Sequence, residues 1–175
     1  MFNLYNFAAY QLAWFAVIIG AAQGFAGAGA AVALVVTSIH LLLRREPIEL
    51  KLIGLAAVIG ILVDSSLAMT GHVRFAAAWP ASFAPYWMLS LWIAFATTLN
   101  HSLRWLTCRP VAAALAGALG GPLAYLAGAK LGALTLTTPA ITLPFIAMLW
   151  TLAMVTFSMI VMRAAHLPEA RRMPA

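Results

Sequence analysis

One acidic side chain and one polar run are where this sequence could do chemistry. Asp64 is the only acid inside a stretch that reads as a membrane span. A carboxylate in hydrocarbon is costly unless it is paired or protonated. Asp64 is therefore a candidate proton carrier or binder of a cationic group. It reads equally as a structural tie between helices, with Ser65 and Ser66 able to bond locally. The polar run is TTLNHSLR, Thr97 to Arg104. On a continuous helix, Ser90, Ala94, Thr97, His101, Arg104 and Cys108 fall close to one stripe, with Asn100 along its edge. His101 could relay protons or hold an anionic headgroup, or could simply be satisfied by a threonine or a backbone carbonyl. Asn100 suits interhelical glue. Arg104 suits a side chain reaching up to the interface, or a contact to a lipid phosphate. The candidate binding set is thus Asp64, Thr97, Asn100, His101 and Arg104, and no residue is assigned as catalytic. At ~1.5 Å per helical residue, Asp64 and His101 lie on opposite sides of the bilayer midplane, ~10 Å or more apart in depth. His40 has a depth similar to that of His101, so a pairing is open. Asn3, Asn6 and Gln11 are the polar positions of the first span.

The four histidines, His40, His72, His101 and His166, are scattered without H-x-x-x-H spacing, and Cys108 is the only cysteine. No metal site, no other cofactor and no intrachain disulfide is expected from them. The glycine and serine signatures of nucleotide sites and hydrolase elbows are missing as well.

The elements that must position these groups are long and apolar. Of 175 residues, 65% are hydrophobic and 8% charged, against ~25% charged in soluble domains. The composition predicts an all-α polytopic bundle forming a single transmembrane domain over 1–175. Six spans are expected, at about 4–22, 24–43, 50–70, 86–106, 111–134 and 141–162. The uncharged run from Met1 to Leu43 is too long for one span, and Gln23 with nearby glycines marks the break. No basic n-region precedes the first run, which speaks against a signal peptide. Pro47 is read as the end of the second span. The tail from Arg163 is read as polar and frayed. The fifth span is built from small residues: Gly117 and Gly121 are four apart, as are Gly128 and Gly132, a spacing that lets helix backbones approach closely. Pro122 lies within it and is expected to kink it.

Net charge is +6, and the basic residues sit at the ends of apolar runs, which marks topology and not nucleic-acid binding. The segments on one side hold Arg44, Arg45, Lys51, Arg104, Arg109, Arg163, Arg171 and Arg172, whereas the other side holds only Arg74 and Lys130. By the positive-inside rule both termini are expected in the cytoplasm. The long connection Gly71–Ala84 is then on the far side, its tryptophan at headgroup level.

Four stretches carry a family resemblance: Asn6 to Trp14, LVDSSLAMTG around Asp64, WIAFATTLNHSLRWL from Trp92 to Leu106, and GPLAYLAG around Pro122. With these the chain resembles a family of bacterial inner-membrane proteins, the domain of unknown function numbered 2878. The resemblance implies a multi-pass membrane protein of the bacterial inner membrane without an assigned reaction. It also implies a link to membrane-lipid metabolism, with membrane lipids, and lipid-modifying enzymes, as partners.

The expected function is that of an accessory or transport protein handling a lipid or small amphiphile in a semi-polar pocket between the third, fourth and fifth spans. A membrane-embedded enzyme using Asp64 or His101 as acid or base is the alternative, and a structural partner subunit is a third. The enzyme reading suffers from having only two candidate groups, since catalysis usually needs several that converge.

Overall fold

Apolar segments of this length satisfy their backbone polar groups internally and bury small-residue faces against one another. The computed structural model describes residues 2–44 and 46–166. The elements are α1 (Phe2–Ala22), α2 (Ala26–Leu43), α3 (Pro47–Met69), β1 (Val73–Phe75), α4 (Tyr86–Leu99), α5 (Arg104–Thr107), α6 (Pro110–Lys130), β2 (Leu134–Leu136) and α7 (Pro139–His166). Five of them, α1, α2, α3, α6 and α7, are long and apolar enough to cross a membrane, and α4 is a shorter apolar helix. Leucines on the outer faces, such as Leu12, Leu62, Leu119 and Leu152, stay exposed. That is the surface of a helical membrane protein. Arg45, Arg171 and Arg172 lie outside the described residues.

The break between α1 and α2 falls where the composition puts it. Gly24 takes φ +82°, a left-handed conformation that glycine adopts without steric cost. The Phe25 N–H then donates to Gly20 O at 2.7 Å and closes the turn. Gly29 lets α2 lie against the α1 backbone at Ala16 and Val17.

Three boundaries differ from expectation in ways that matter. α3 begins at Pro47 and not near residue 50, because a proline whose N–H is absent suits the first helical position as well as it ends a preceding helix. Glu49 is thereby drawn into the first turn of α3 and is fully buried. α4 stops at Leu99 instead of continuing to residue 106. Thr98 O accepts from His101 N at 3.1 Å and from Leu103 N at 2.8 Å, and the Thr107 hydroxyl donates to Leu99 O at 2.8 Å. The polar run leaves the helix, so the stripe from Ser90 to Cys108 does not exist as one helical face. α7 continues through Arg163 to His166, so the tail is helical further than expected.

The helical expectation also missed a two-stranded antiparallel sheet. β1 pairs with β2 in the register Val73↔Leu136, Arg74↔Thr135 and Phe75↔Leu134. The apolar residues Val73, Phe75 and Leu134 face inward, and Arg74 and Thr135 are exposed. The connections after α3 and after α6 thus meet at one end of the bundle.

Its interior is organised by a tryptophan pair. Trp92 of α4 and Trp150 of α7 stack with centroids 4.5 Å apart and planes 23° apart. Gly60 of α3 seats Trp92, and Gly121 of α6 seats Trp150. Gly117, one turn earlier, lies on the Trp150 backbone carbonyl. The Gly117–Gly121 pair therefore does what its spacing suggests. The Gly128–Gly132 pair is placed differently: the atoms nearest a Cβ on Gly128 belong to the Leu134 and Ile18 side chains. Gly132 lies beyond the end of α6 in a turn, at φ +87°. α6 runs on through Pro122.

Candidate functional site

The structure separates the polar residues into two buried centres. The first lies in the middle of the bundle. Asp64 sits one turn after Gly60, and Tyr125 one turn after Gly121, so the glycine contacts that seat the tryptophans also bring these two together. Asp64 Oδ2 accepts from Trp92 Nε1 at 2.7 Å, and Oδ1 accepts from the Tyr125 hydroxyl. The serines beside it are occupied elsewhere: Ser66 donates to Val63 O, and Ser65 Oγ accepts from Ala84 N. Next to this centre is an aromatic cavity bounded by Tyr10, Trp92, Phe95, Tyr125 and Trp150, of about 40 Å³. The expected semi-polar pocket between the third, fourth and fifth spans is thus a small, mostly apolar hollow.

The second centre lies at the end of the bundle away from the β-pair. The last turn of α2 supplies His40, the first turn of α3 supplies Glu49, and the turn after α4 supplies Asn100, His101 and Ser102. The start of α1 adds Phe2 and Asn6. Glu49 Oε2 is 3.1 Å from His40 Nε2. Glu49 Oε1 accepts from Asn100 Nδ2 at 3.0 Å and stands 3.1 Å from His101 Nε2. The second approach is not aligned for a hydrogen bond, and His101 Nε2 has no bonding partner among the described residues. Asn100 Nδ2 also donates to Glu46 Oε2 at 2.9 Å. Asn6 Nδ2 donates to Thr97 O and lies 3.2 Å from His40 Nδ1, while Asn6 Oδ1 accepts from the Ser102 hydroxyl at 2.6 Å. With Nδ1 accepting from Asn6, His40 carries its proton on Nε2 and donates it to Glu49. The two imidazoles meet edge to face, 4.9 Å between centroids, and Phe2 covers the His101 ring at 5.2 Å. The Arg44 guanidinium lies 4.1 Å over Phe2.

Glu49 has 0% exposure and His40 4%. A carboxylate so deeply buried persists because cation-capable rings and amide donors surround it, and removing one of them strands a charge. A groove lined by Asn3, Asn100, His101, Arg104, Trp105 and Cys108 runs from this centre to the surface. His101 belongs to both. The arrangement can hold and move protons between a carboxylate and two imidazoles, hold a cation among three converging donor atoms, and meet an anion at Arg104.

The sequence-derived set is therefore split. Asn100 and His101 reach Glu49, and Arg104 forms the exposed rim of the groove. Thr97 gives its hydroxyl to Ala94 O and only its carbonyl to Asn6. Asp64 belongs to the other centre. Sequence reading missed Glu49, assigned to a loop because Pro47 was taken only as a stop. The signal available was a proline at a first helical position with an acid two residues on. The expectation of no metal site rested on spacing along the chain; folding gathers His40, Glu49 and His101, whose possible ligand atoms lie within 4.8 Å of one another.

No curated protein and no solved structure matches this chain. A family model does, over residues 3–156, a stretch that includes the groove and, apart from Phe2, both buried centres. The protein belongs to the family described as "Protein of unknown function (DUF2878)".

Proposed function

We propose that this protein handles a lipid or small amphiphile with an anionic headgroup, as a carrier or accessory component of the membrane, at the groove beside His101. The observation that carries the reading is the double position of His101, which lines the groove with Arg104 and stands 3.1 Å from the buried Glu49. Arg104 supplies an exposed guanidinium suited to a phosphate or carboxylate. Trp105 beside it is 63% exposed and offers an apolar surface to the chain of the same molecule. A headgroup bound there would meet His101, whose proton can move toward it or toward Glu49. The proposed binding set is thus Asn100, His101 and Arg104 with Glu49 behind them, without Asp64 and Thr97.

A second reading, an enzyme of lipid metabolism, is favoured by Glu49 standing between two imidazoles. That trio is a more complete acid–base set than the Asp64 and His101 pair read from sequence.

We also propose six crossings of a bacterial inner membrane, with the Glu49 end in the cytoplasm. In support, Trp87 at the start of α4 bonds to Ala76 beside β1, whereas Thr97 and Asn100 at its end meet Asn6 and Glu49. Among the described residues Arg44, Lys51, Arg104, Arg109 and Arg163 lie toward the Glu49 end, and Arg74 and Lys130 toward the β-pair.

Lipid retained by the purified protein tests the amphiphile reading. After reconstitution with mixed phosphatidylglycerol and phosphatidylcholine vesicles and re-extraction, native mass spectrometry is expected to show the anionic lipid enriched on the parent. Arg104→Gln should lose that enrichment, and Tyr125→Phe at the other centre should keep it. Equal enrichment on the parent and Arg104→Gln would sink the reading.

A further inference from the structure

We infer that His40, Glu49 and His101 form the binding site of one divalent transition-metal ion of the zinc or ferrous class. The inference uses the buried donors alone and does not rest on the amphiphile reading. Two imidazole nitrogens and a carboxylate oxygen are the donor set that borderline first-row divalent ions prefer. Their spacing suits a common ion. At bond lengths of ~2.0–2.2 Å, two ligand atoms on one ion lie between ~3 and ~4.4 Å apart. Here His40 Nε2 stands 3.1 Å from Glu49 Oε2 and His101 Nε2 stands 3.1 Å from Oε1, and the three ligand atoms lie within 4.8 Å, so loading draws them together by a few tenths of an ångström at most.

The orphaned nitrogen is the second observation. The His101 side chain is only 9% exposed, yet its Nε2 faces the carboxylate at contact distance without a hydrogen bond. A buried nitrogen left this way forfeits the bond it had with water. A metal ion accepting its lone pair, and that of His40, would remove the deficit and neutralise Glu49. One outer partner is already in place, Asn100, which holds Glu49 Oε1; Asn6 stands at His40 Nδ1 but presents its Nδ2 donor. Loading the ion requires His40 to move its proton from Nε2 to Nδ1. Asn6 must then turn its amide so that Oδ1 accepts the proton, which gives up its bond to Thr97 O and makes the Ser102 hydroxyl the acceptor. Three protein ligands leave coordination positions open, and His101 places them next to the groove, where water or a bound molecule could fill them.

The test uses the full chain in detergent, stripped with a chelator, loaded with Zn²⁺ or Co²⁺ and desalted. One ion per chain is expected, with visible Co²⁺ absorption bands of a low-symmetry nitrogen and oxygen site. Glu49→Gln and His101→Asn should each weaken binding by about tenfold or more, with circular dichroism and gel filtration reporting the fold. His72→Asn and Cys108→Ser should keep it, since His72 bonds to Thr142 and Cys108 is an exposed thiol on the groove wall. If Glu49→Gln fails to fold, Glu49→Asp, which keeps the charge but draws the carboxylate back by one methylene, must show the same weakening. Chelator should lower the melting temperature of the loaded parent and leave that of apo protein unchanged. Folded parent protein that retains no stoichiometric ion overturns the inference. So does undiminished binding in folded His101→Asn, or loss of binding in Cys108→Ser.

Discussion

At the scale of single residues, Asp64 is the clearest case of an environment deciding a role. Both its oxygens are taken, by an indole N–H at 2.7 Å and by a phenol hydroxyl, and the three groups come from α3, α4 and α6. That is the geometry of a tie between helices. Leaving a buried donor unsatisfied costs ~1–3 kcal/mol. Asp64→Ala strands two donors and is expected to lose ~2–5 kcal/mol. Asp64→Asn keeps one acceptor and should lose ~1–3 kcal/mol, and Tyr125→Phe removes a single donor and should cost least. Melting temperatures in one detergent should fall in that order. An alanine variant as stable as the parent would mean that these bonds do not hold the helices together.

Glycines act at the scale of helices by setting how closely α6 and α7 approach. Gly120 and Gly121 are neighbours with opposite surroundings. A Cβ on Gly121 would enter the Trp150 ring, and one on Gly120 meets nothing within 4 Å. Gly121→Ala is therefore expected to cost ~1–3 kcal/mol by overpacking, and Gly60→Ala a similar amount against Trp92. Gly120→Ala should instead be neutral, or stabilising by up to ~1 kcal/mol, because alanine favours the helix. Thermal unfolding of the adjacent pair checks the sign directly, and equal losses would show that Gly121 does not seat the tryptophan. The same helix scale explains where α4 ends. Its polar tail bonds better outside the helix, to Glu46, Glu49 and Asn6, than it would along one helical face in hydrocarbon.

For the whole molecule the decisive question is how many times the chain crosses. α4 has 14 residues, or ~21 Å at ~1.5 Å each, less than the ~30 Å of a hydrocarbon core. On the proposed six crossings, the turns on either side would have to make up the remainder. Ala78, in the connection between α3 and α4, and Cys108, beyond α5, are both exposed. A membrane-impermeant thiol reagent applied outside the inner membrane is expected to label Ala78→Cys on a Cys108→Ser background. The native Cys108 should react only once the inner membrane is opened. Labelling of both from one side would remove α4 from the count of crossings, and the reverse pattern would invert the orientation.

The sequence by itself determined the apolar runs, the break at Gly24, the clustering of basic residues at one set of loops and the close approach at Gly117 and Gly121. Each depends on local properties: the length and hydropathy of a segment, the freedom of a glycine, the cost of moving a charge across lipid. Only the tertiary structure decided that Glu49 lies inside the bundle, that α4 stops at Leu99, that β1 and β2 pair, and that Asp64 and His101 belong to different centres. These depend on partners far away in sequence. His40 is 34 residues from Asn6, Asn100 is 51 from Glu49, and Ser102 is 96 from Asn6. A polar side chain near a helix end has the same composition signal whether it faces water or a neighbouring helix. Its role is fixed by which donors and acceptors the packing brings within about 3 Å, the reach of a hydrogen bond, and no spacing along the chain contains that information.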